Sequence, residues 1–346
     1  MKRVAILKSN ASAKGGLELY TRKLATAFAE RGDEVILLTT GQLEEMPFEV
    51  VSLCDTTKFS LHHIQRFDGK AQKWLRENKP DVIFGMERTS FQTHYRAGSG
   101  VHAAYLKRRS NQESWFKQLS FRINPLHRTI LGLEKRAFEH PDLQRLFVNS
   151  RMVREEISEL FDINLKKLAI VHNGVDWEAA HATAPNLDQF HFLFVGNDYK
   201  RKGLGWLLRA LVGLDNYKLT VVGRDKNEAT FRRLAEKLKI NAHFAGLQRD
   251  LYPFYLAADC LVLPTIYDPF ANVTLEALAH GLFVITSPMN GGKEILKPYS
   301  GLVVEPEELK GALFKARYST RDPERIRNSV KHLTFENQLR EIVDQC

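Results

Sequence analysis

Short apolar runs alternate with amphipathic stretches along the first half of the chain. Leu17, Leu24, Ala25 and Phe28 recur at helical spacing, which predicts an amphipathic helix over residues 17–31. Other apolar runs predict strands, which we place at residues 4–7, 35–38, 81–84 and 146–148. Strands that alternate with helices indicate a parallel sheet with helices on both faces.

The same alternation restarts near residue 191. Strands are predicted at residues 191–196, 218–223, 243–245, 260–263 and 283–286, and helices at residues 204–211, 231–238 and 274–280. We therefore predict an α/β protein built of two successive doubly wound domains. Ligands of such sheets bind outside the carboxyl ends of the strands, so a site is expected in a cleft between two facing domains.

The domain boundary is expected near residues 170–185, where His172-Asn173-Gly174-Val175 is typical of a turn and small residues follow. We predict an N-terminal domain at residues 1–172 and a C-terminal domain at residues 173–325. Residues 326–346 are predicted to form a helix that packs back on the N-terminal domain. A length of 346 residues suits two domains, and an apolar content of 44% argues against a largely disordered chain.

Charge and cysteine content narrow the class of protein. The 50 basic and 41 acidic residues give a formal net charge of +9, which favours nucleic acid, phosphorylated substrates or an anionic membrane surface as partners. Cys54, Cys260 and Cys346 are far apart and form no C-x-x-C pair, so neither a disulfide framework nor a zinc site is expected, and a reducing cytosol is favoured. No apolar run reaches the roughly 18 residues that a membrane span requires.

Two segments that follow predicted strands could bind phosphate. Lys14-Gly15-Gly16 precedes the first predicted helix, where glycine lets the backbone approach an anion and the helix offers free N–H groups. Lys200, Arg201 and Lys202 are consecutive cations after a strand of the second half, which suits a diphosphate. The alternatives are a plain loop for the first segment and a solvated charge run for the second.

A third segment carries two carboxylates across a strand–loop–helix junction. Asp268 and Glu276 stand eight residues apart, and a helix is predicted to start near Asn272. Carboxylate oxygens accept hydrogen bonds from vicinal sugar hydroxyls, and a helix N-terminus attracts phosphate. The alternative is a helix cap and a surface glutamate.

Other polar signals are weaker. The sequence contains no D-x-D pair and its histidines are scattered, so no metal site is expected and isolated histidines such as His127 are interpreted as surface or core residues. Residues 98–103 fit a loose G-x-G-x-x-A dinucleotide pattern. We discount that motif because residues 93–96 are too polar for the buried strand that it requires.

The third segment resembles a family signature. Asp268-x7-Glu276, followed by Ala277 and Gly281, resembles the E-x7-E signature of retaining GT-B glycosyltransferases, with Asp in place of the first Glu. The family's other motifs are matched by residues 244–246, 291–294 and 301–304 and by the Lys202-Gly203 pair. The resemblance spans nearly the whole chain, and residues 98–106 and 197–203 are similar to segments of the lipopolysaccharide core glucosyltransferases.

This resemblance implies a GT-B fold, with two Rossmann-like doubly wound domains that face each other across a cleft. It implies that Arg201 and Lys202 neutralise a donor diphosphate, that Asp268 holds a sugar hydroxyl, and that His102 lies near the donor sugar. Glu276 would bind the ribose. The remaining nucleotide-sugar contacts that it implies are Gly15, Gly16, Asn272, Val273, Thr274, Gly246 and Leu247.

The segment from residue 101 to residue 140 is basic and aromatic, with eight cations against three acids. Such a helical stretch can lie on an anionic membrane, or it can cover the N-terminal core with solvated charges. The residues assigned to a membrane surface are Lys107, Arg108, Arg109, Trp115, Phe116, Lys117, Phe121 and Arg122.

The expected function is retaining, metal-independent transfer of a hexose, with glucose as the best guess, from a UDP-sugar to a lipid-linked saccharide such as the lipopolysaccharide core. We expect no cofactor, no nucleic-acid partner, a monomer, and a peripheral location on the inner face of the cytoplasmic membrane. Two alternatives stay open. One is a UDP-sugar epimerase of the same fold, and the other is a basic nucleic-acid-binding protein, which predicts salt-dependent binding and no sugar turnover.

Overall fold

The computed structural model describes residues 1–11, 16–41, 46–56, 60–110, 115–182 and 189–346. The chain forms two compact units, one of Met1–Val171 with Gln338–Cys346 and the other of His172–Asn337. Each unit contains one sheet whose strand pairings are all parallel. The prediction of two doubly wound α/β domains is confirmed.

The first unit has a sheet of order β3-β2-β1-β4-β5-β6-β7. Its strands are β1 (Arg3–Leu7), β2 (Glu34–Thr40), β3 (Glu49–Cys54), β4 (Val82–Gly85), β5 (His94–Arg96), β6 (Arg145–Val148) and β7 (Leu168–Ile170). Its helices are α1 (Gly16–Glu30), α2 (Ser60–Asn78), α3 (His102–Ser110), α4 (Trp115–Ile123), α5 (Pro125–Phe138) and α6 (Arg151–Leu160). The apolar stripe of α1 is buried as the spacing predicts, through Leu24, Ala25 and Phe28.

The second unit has a sheet of order β10-β9-β8-β11-β12-β13. Its strands are β8 (Phe190–Val195), β9 (Tyr217–Val222), β10 (Ala242–Gly246), β11 (Cys260–Leu263), β12 (Phe283–Thr286) and β13 (Gly301–Val303). The later helices are α7 (Tyr199–Lys202), α8 (Leu204–Ala210), α9 (Glu228–Lys237), α10 (Tyr252–Ala257), α11 (Asn272–Ala279), α12 (Leu309–Tyr318), α13 (Pro323–Asn328) and α14 (Phe335–Val343). Every residue of β8, β11 and β12 is buried, as in a parallel sheet covered on both faces.

The order of strands in the second unit reverses between β8 and β11. Strands of a doubly wound sheet that neighbour each other at such a reversal leave a crevice outside their carboxyl ends, where ligands bind. The loops that follow β8 and β11 therefore define the candidate site of this unit. The corresponding reversal in the first unit lies between β1 and β4.

The predicted domain bounds differ from those of the structure at one end. The second unit extends to Asn337, not to residue 325, and only Gln338–Cys346 belongs to the first unit. The physical reason lies in α13 and the residues after it, because Ile326 and Val330 are fully buried in the hydrophobic core of the second unit.

The expectation that residues 93–96 are too polar for a buried strand is wrong. His94–Arg96 is strand β5, and both His94 and Tyr95 are buried. The polar atoms are bonded inside the fold, since the His94 ring nitrogen Nδ1 lies 2.9 Å from the Thr93 hydroxyl. Burial lowers the pKa of His94 to about 4, so its ring is neutral near pH 7. Across the described ranges, no helix is both long and apolar enough to span a bilayer.

Candidate active site

Cations and a carboxylate meet where β8 and β11 end. Lys202 closes the short helix α7 after β8, and Asp268 lies in the loop after β11. The Lys202 Nζ atom lies 2.5 Å from Asp268 Oδ2, and Arg201 Nη1 lies 3.4 Å from the same oxygen. Arg201 also donates to the Tyr267 carbonyl at 3.0 Å. The side chains of Lys202 and Asp268 are only 12% and 10% exposed, so this ion pair is largely withdrawn from water.

The local sequence explains why α7 brings its cations here. Asp198 starts the helix in a left-handed conformation, with φ of +59°, which Asp tolerates better than most residues. The Tyr199 N–H donates to Asp225 at 2.7 Å, and the Tyr199 ring is fully buried. Gly203 then has φ of +84°, and a Cβ atom there would lie 1.9 Å from the Pro264 carbonyl oxygen. Only glycine permits this close packing of the β8 loop on the β11 loop.

The loop that carries Asp268 is hydrogen-bonded to the segment after β12. The Asp268 N–H donates to the Met289 carbonyl at 2.9 Å, and the Gly291 N–H donates to the Asp268 carbonyl at 2.8 Å. The Ser287 hydroxyl donates to the Thr265 carbonyl at 2.5 Å. Both sides of the loop are thus held by backbone bonds, which fixes the Asp268 carboxylate beside Lys202.

Asn290 connects this segment to the start of α11, and sequence reasoning missed it. Its amide group donates to Thr274 at 2.9 Å and Thr286 at 3.0 Å, and its Oδ1 atom accepts from the N–H groups of Ala271 at 3.1 Å and Gly292 at 2.9 Å. These four bonds use the full capacity of the amide, and Asn290 is fully buried. The available signal was its place immediately before Gly291-Gly292, which the family resemblance includes.

Glu276 lies in the second turn of α11, and its carboxylate accepts a hydrogen bond from the Tyr255 hydroxyl at 2.6 Å, on Oε2. The other oxygen, Oε1, has no hydrogen-bond partner within the described ranges. Burial raises the pKa of Glu276, whereas the Tyr255 hydrogen bond and the positive charge of Lys202 act in the opposite direction. The positive charge of Lys202 thus acts on Glu276 as well as on Asp268.

The three residues predicted to contact the nucleotide-sugar at the start of α11 are not equally free to bind a phosphate. Asn272 is exposed, and its side-chain oxygen accepts from Asn173 at 2.6 Å. The backbone N–H of Thr274 already donates to the Ala271 carbonyl at 2.9 Å, so that group is not free for a phosphate. Val273 is half-buried and packs against the core of the unit.

Two predicted nucleotide contacts lie further along the sheet. Gly246 ends β10 with φ of +69° and open space around its Cα atom, and Leu247 is exposed. Because β9 separates β10 from β8, these residues are not part of the ion-pair cluster. They occupy the same carboxyl edge of the sheet at a greater distance from the strand reversal.

In the first unit, His102 begins α3 and is held by a buried carboxylate. The His102 N–H donates to Glu134 Oε1 at 2.8 Å, and the Arg88 Nε donates to the same oxygen at 2.9 Å. Glu134 is completely buried, and sequence reasoning gave it no role. His127 Nδ1 lies 3.0 Å from His102 Nε2, a contact that the sequence did not predict. Burial, Arg88 and His127 lower the pKa of His102 to about 4, so the ring is neutral near pH 7.

Of the two predicted glycine contacts, Gly16 is the first residue of α1, and a Cβ atom at Gly16 would meet no atom of the described residues within 4 Å. Gly15 lies outside the described residues. Packing among the described residues therefore does not require a glycine at the Gly16 position. A role in ligand approach therefore stays a prediction for both residues.

The basic segment is only partly arranged as the membrane interpretation expects. Trp115 is 64% exposed and Lys107 is exposed. Arg108, however, bonds Glu156 at 3.1 Å, and Arg109 lies over the Phe121 ring with 5.1 Å to the centroid. Those three predicted surface residues are therefore engaged with neighbours. Phe116, Lys117 and Arg122 belong to α4, and their side chains lie outside the described part of the chain.

Two family models match the chain in succession. Residues 14–179 match Glycosyltransferase Family 4, and residues 189–317 match Glycosyl transferases group 1. With the two parallel-sheet units described above, these matches show that the chain belongs to the glycosyltransferases of the GT-B fold.

Individual relatives are consistent with this class. Lipopolysaccharide glucosyltransferase WaaG of Escherichia coli is 25% identical over 334 residues, which cover 87% of this chain and 86% of WaaG. An uncharacterized glycosyltransferase of Methanocaldococcus jannaschii is 30% identical over 181 residues. The chain spans about half the length of that relative and of glycogen synthase of Mycobacterium tuberculosis.

Solved structures share the fold. The crystal structure of WaaG superposes with a TM-score of 0.75 at 23% identity, over 99% of this chain and 95% of that one. Anabaena HepE in complex with UDP and glucose superposes with a TM-score of 0.72 at 15% identity, over 99% of both chains.

Proposed function

We propose that this protein transfers a hexose, with glucose favoured, from a UDP-sugar to a lipid-linked saccharide such as the lipopolysaccharide core, with retention of the anomeric configuration. The observation that carries the proposal is the cluster of Arg201, Lys202 and Asp268 beside Glu276 at the strand reversal of the second unit. Two similar proteins support the choice of sugar and acceptor. WaaG is a lipopolysaccharide glucosyltransferase, and the HepE structure contains UDP and glucose.

Each residue of the cluster has a role in donor binding. Glu276 accepts hydrogen bonds from the ribose hydroxyls, for which its unpaired oxygen is suited. Arg201 and Lys202 neutralise the diphosphate, with Asn272 and Val273 contributing N–H groups of the helix start. Asp268 is paired with Lys202 in the structure, so a diphosphate that binds Lys202 competes with Asp268 and releases its carboxylate to a sugar hydroxyl. Gly15, Gly16, Gly246, Leu247 and His102 are assigned to the donor on the family resemblance.

Catalysis then rests on charge stabilisation and positioning. The acceptor hydroxyl oxygen bonds to the anomeric carbon as the bond from that carbon to the phosphate oxygen breaks, on the same face of the sugar. The hydroxyl proton passes to the departing diphosphate. Negative charge grows on the diphosphate along this path, so cations preorganised in a partly dry site stabilise the transition state more than the ground state.

The proposal is tested by incubating the protein with radiolabelled UDP-glucose, UDP-galactose or UDP-N-acetylglucosamine and a lipid-linked saccharide with a truncated core. We expect label in the lipid fraction, with UDP-glucose preferred, and NMR of the product should give the donor's anomeric configuration. Isomerised nucleotide sugar without transfer would favour the epimerase alternative. Salt-dependent binding to nucleic acid with no sugar turnover would overturn the proposal.

Turnover should persist in EDTA. The sequence has no D-x-D pair, and in the proposed mechanism Arg201 and Lys202 meet the diphosphate charge. Initial rates measured with EDTA and with added Mg²⁺ should therefore agree. Complete loss of activity in chelator, with recovery on addition of Mg²⁺ or Mn²⁺, would contradict the metal-independent assignment.

The lipid-linked acceptor would hold the protein at the inner face of the cytoplasmic membrane, where it acts as a peripheral monomer. The exposed side chains of Lys107, Trp115 and Ile123 in α3 and α4 support this part of the proposal. Each cation near an anionic bilayer contributes about 1 kcal/mol, and exposed aromatic and aliphatic side chains insert at the interface independently of salt.

Replacing both Trp115 and Ile123 with Ser should weaken binding to vesicles that contain anionic lipid, because the apolar part of the contact is removed. Sedimentation with anionic and with neutral vesicles measures the fraction of protein bound. High salt should release only part of the bound parent protein. The matched control replaces Leu160 and Leu165, which are also exposed in the first unit, and should bind as the parent does. Equal sedimentation of all three proteins would mean that the segment only covers the core.

A further inference from the structure

A buried tyrosine of the neighbouring helix α10 contacts the Glu276 carboxylate. The Tyr255 side chain is 3% exposed, and its hydroxyl donates to Glu276 Oε2 at 2.6 Å. The Tyr255 ring stacks on His280, with 5.0 Å between centroids and 14° between planes. His280 follows Glu276 by one helical turn. The same segment therefore supplies the ring on which Tyr255 stacks and the carboxylate to which the Tyr255 hydroxyl donates.

Two titratable groups act on the Glu276 carboxylate, namely Tyr255 from α10 and Lys202 from α7. His280, which follows α11, lies against the Tyr255 ring. Burial and the nearby Glu276 charge raise the pKa of Tyr255 well above its usual range, so the phenol remains an O–H donor at any working pH. Burial lowers the pKa of His280, which leaves it neutral. Burial raises the pKa of Glu276 and so favours its protonated form, whereas Tyr255 and Lys202 lower that pKa.

We propose that Tyr255 is a positioning residue for nucleotide binding, whose hydroxyl fixes Glu276 Oε2 and leaves Oε1 for the ribose hydroxyls. The inference rests on the proposed role of Glu276. A carboxylate must be ionised to accept both hydroxyl hydrogen bonds of a ribose, and a neutral carboxyl group offers fewer acceptor sites. Through its hydrogen bond, Tyr255 thus sets both the orientation of Glu276 and the pH range in which it binds.

The variant Tyr255→Phe removes the hydroxyl and keeps the ring that stacks on His280. We expect its affinity for UDP, measured by calorimetry at pH 7.5, to fall about 3- to 10-fold. The variant loses one hydrogen bond to a charged group, and this bond affects UDP only through Glu276. Loss of that bond raises the pKa of Glu276, so protonation begins at higher pH. The ratio of parent to variant affinity should therefore grow as the pH is lowered toward the range in which Glu276 is protonated. Ionisation of UDP itself cancels in this ratio.

Tyr252→Phe is the matched control. Tyr252 lies on the same helix, and its ring is 5.3 Å from the His280 ring, but it makes no hydrogen bond to Glu276. This variant should bind UDP as the parent does at every pH. A pH-dependent loss equal to that of Tyr255→Phe would mean that the effect comes from packing around His280, and the inference would fail.

Two further variants separate this inference from the proposed function. If Glu276→Ala leaves UDP affinity unchanged, the ribose assignment itself is wrong. If Glu276→Ala weakens binding but Tyr255→Phe matches the parent at every pH, only the positioning role is wrong. Tyr255→Phe should add nothing in the Glu276→Ala background, because contacting residues that act together are not additive. An equal loss in that background would show a purely structural role.

Thermal melting reports whether each variant is folded. Should Tyr255→Phe melt far below the parent, Glu276→Gln supplies the decisive reading, because it keeps an acceptor for the Tyr255 hydroxyl and removes the charge. We then expect the ratio of parent to Glu276→Gln affinity to shrink as the pH falls and the parent carboxylate is protonated. A ratio that is constant with pH would show that ionisation of Glu276 does not control binding, and would overturn the inference.

Discussion

Replacing Lys202 with Met should lower kcat about 100- to 1,000-fold, the range observed when one preorganised group that stabilises a developing anion is removed. Methionine keeps the aliphatic stem, which packs near Gly196, but it cannot neutralise a leaving diphosphate. Since charge on the diphosphate grows as the glycosidic bond breaks, kcat should fall more than donor affinity does. Steady-state kinetics with UDP-glucose would measure both quantities.

Lys200→Met is the control for this change, because Lys200 is an exposed residue of the same short helix α7. Its kinetics should stay close to those of the parent. A raised KM with unchanged kcat in Lys202→Met would reduce Lys202 to a residue that binds substrate and transition state equally. Thermal melting of the variant would show whether Asp268, left with Arg201 as its ion-pair partner, remains accommodated.

Glu276→Ala should weaken UDP binding about 10- to 150-fold, because a hydrogen bond to a charged group is worth roughly 1.5–3 kcal/mol. The proposed ribose contact would form with both donor and product, so the loss should be visible for UDP alone by calorimetry. Glu236→Ala removes an exposed glutamate from α9 and should leave UDP affinity unchanged. Equal affinities of the parent and Glu276→Ala would refute the ribose assignment.

The core of the second unit was predictable because its strands carry a strong signal. Residues 260–263 and 283–286 were predicted with the bounds that β11 and β12 have in the structure, since both are continuous apolar runs between helices. Strand β3 was missed because it lies at the sheet edge, where none of its positions is fully buried. Strand β5 was rejected for its polarity, which is tolerated only because the folded neighbours bond its polar atoms.

The candidate site was predictable only as far as local sequence determines it. Lys202 and Asp268 could be named because each follows a strand whose carboxyl end borders the same reversal. Glu134 could not be assigned to His102, because 32 residues separate the two and their hydrogen bond depends on how α5 lies against α3. The bond from Tyr255 to Glu276 likewise depends on how α10 lies beside α11.

The division of the chain into units has a consequence for biosynthesis. The first unit includes Gln338–Cys346, and the Arg31 guanidinium and Lys2 ammonium groups donate to the carbonyls of Val343 and Cys346. During synthesis, the ribosome releases all of His172–Asn337 before it releases these last partners. The second unit can therefore complete its fold first, while the earlier-made unit still lacks the partners of Arg31 and Lys2 in residues 338–346. A nascent chain arrested before residue 338 should accordingly carry a finished second unit and an unfinished first unit.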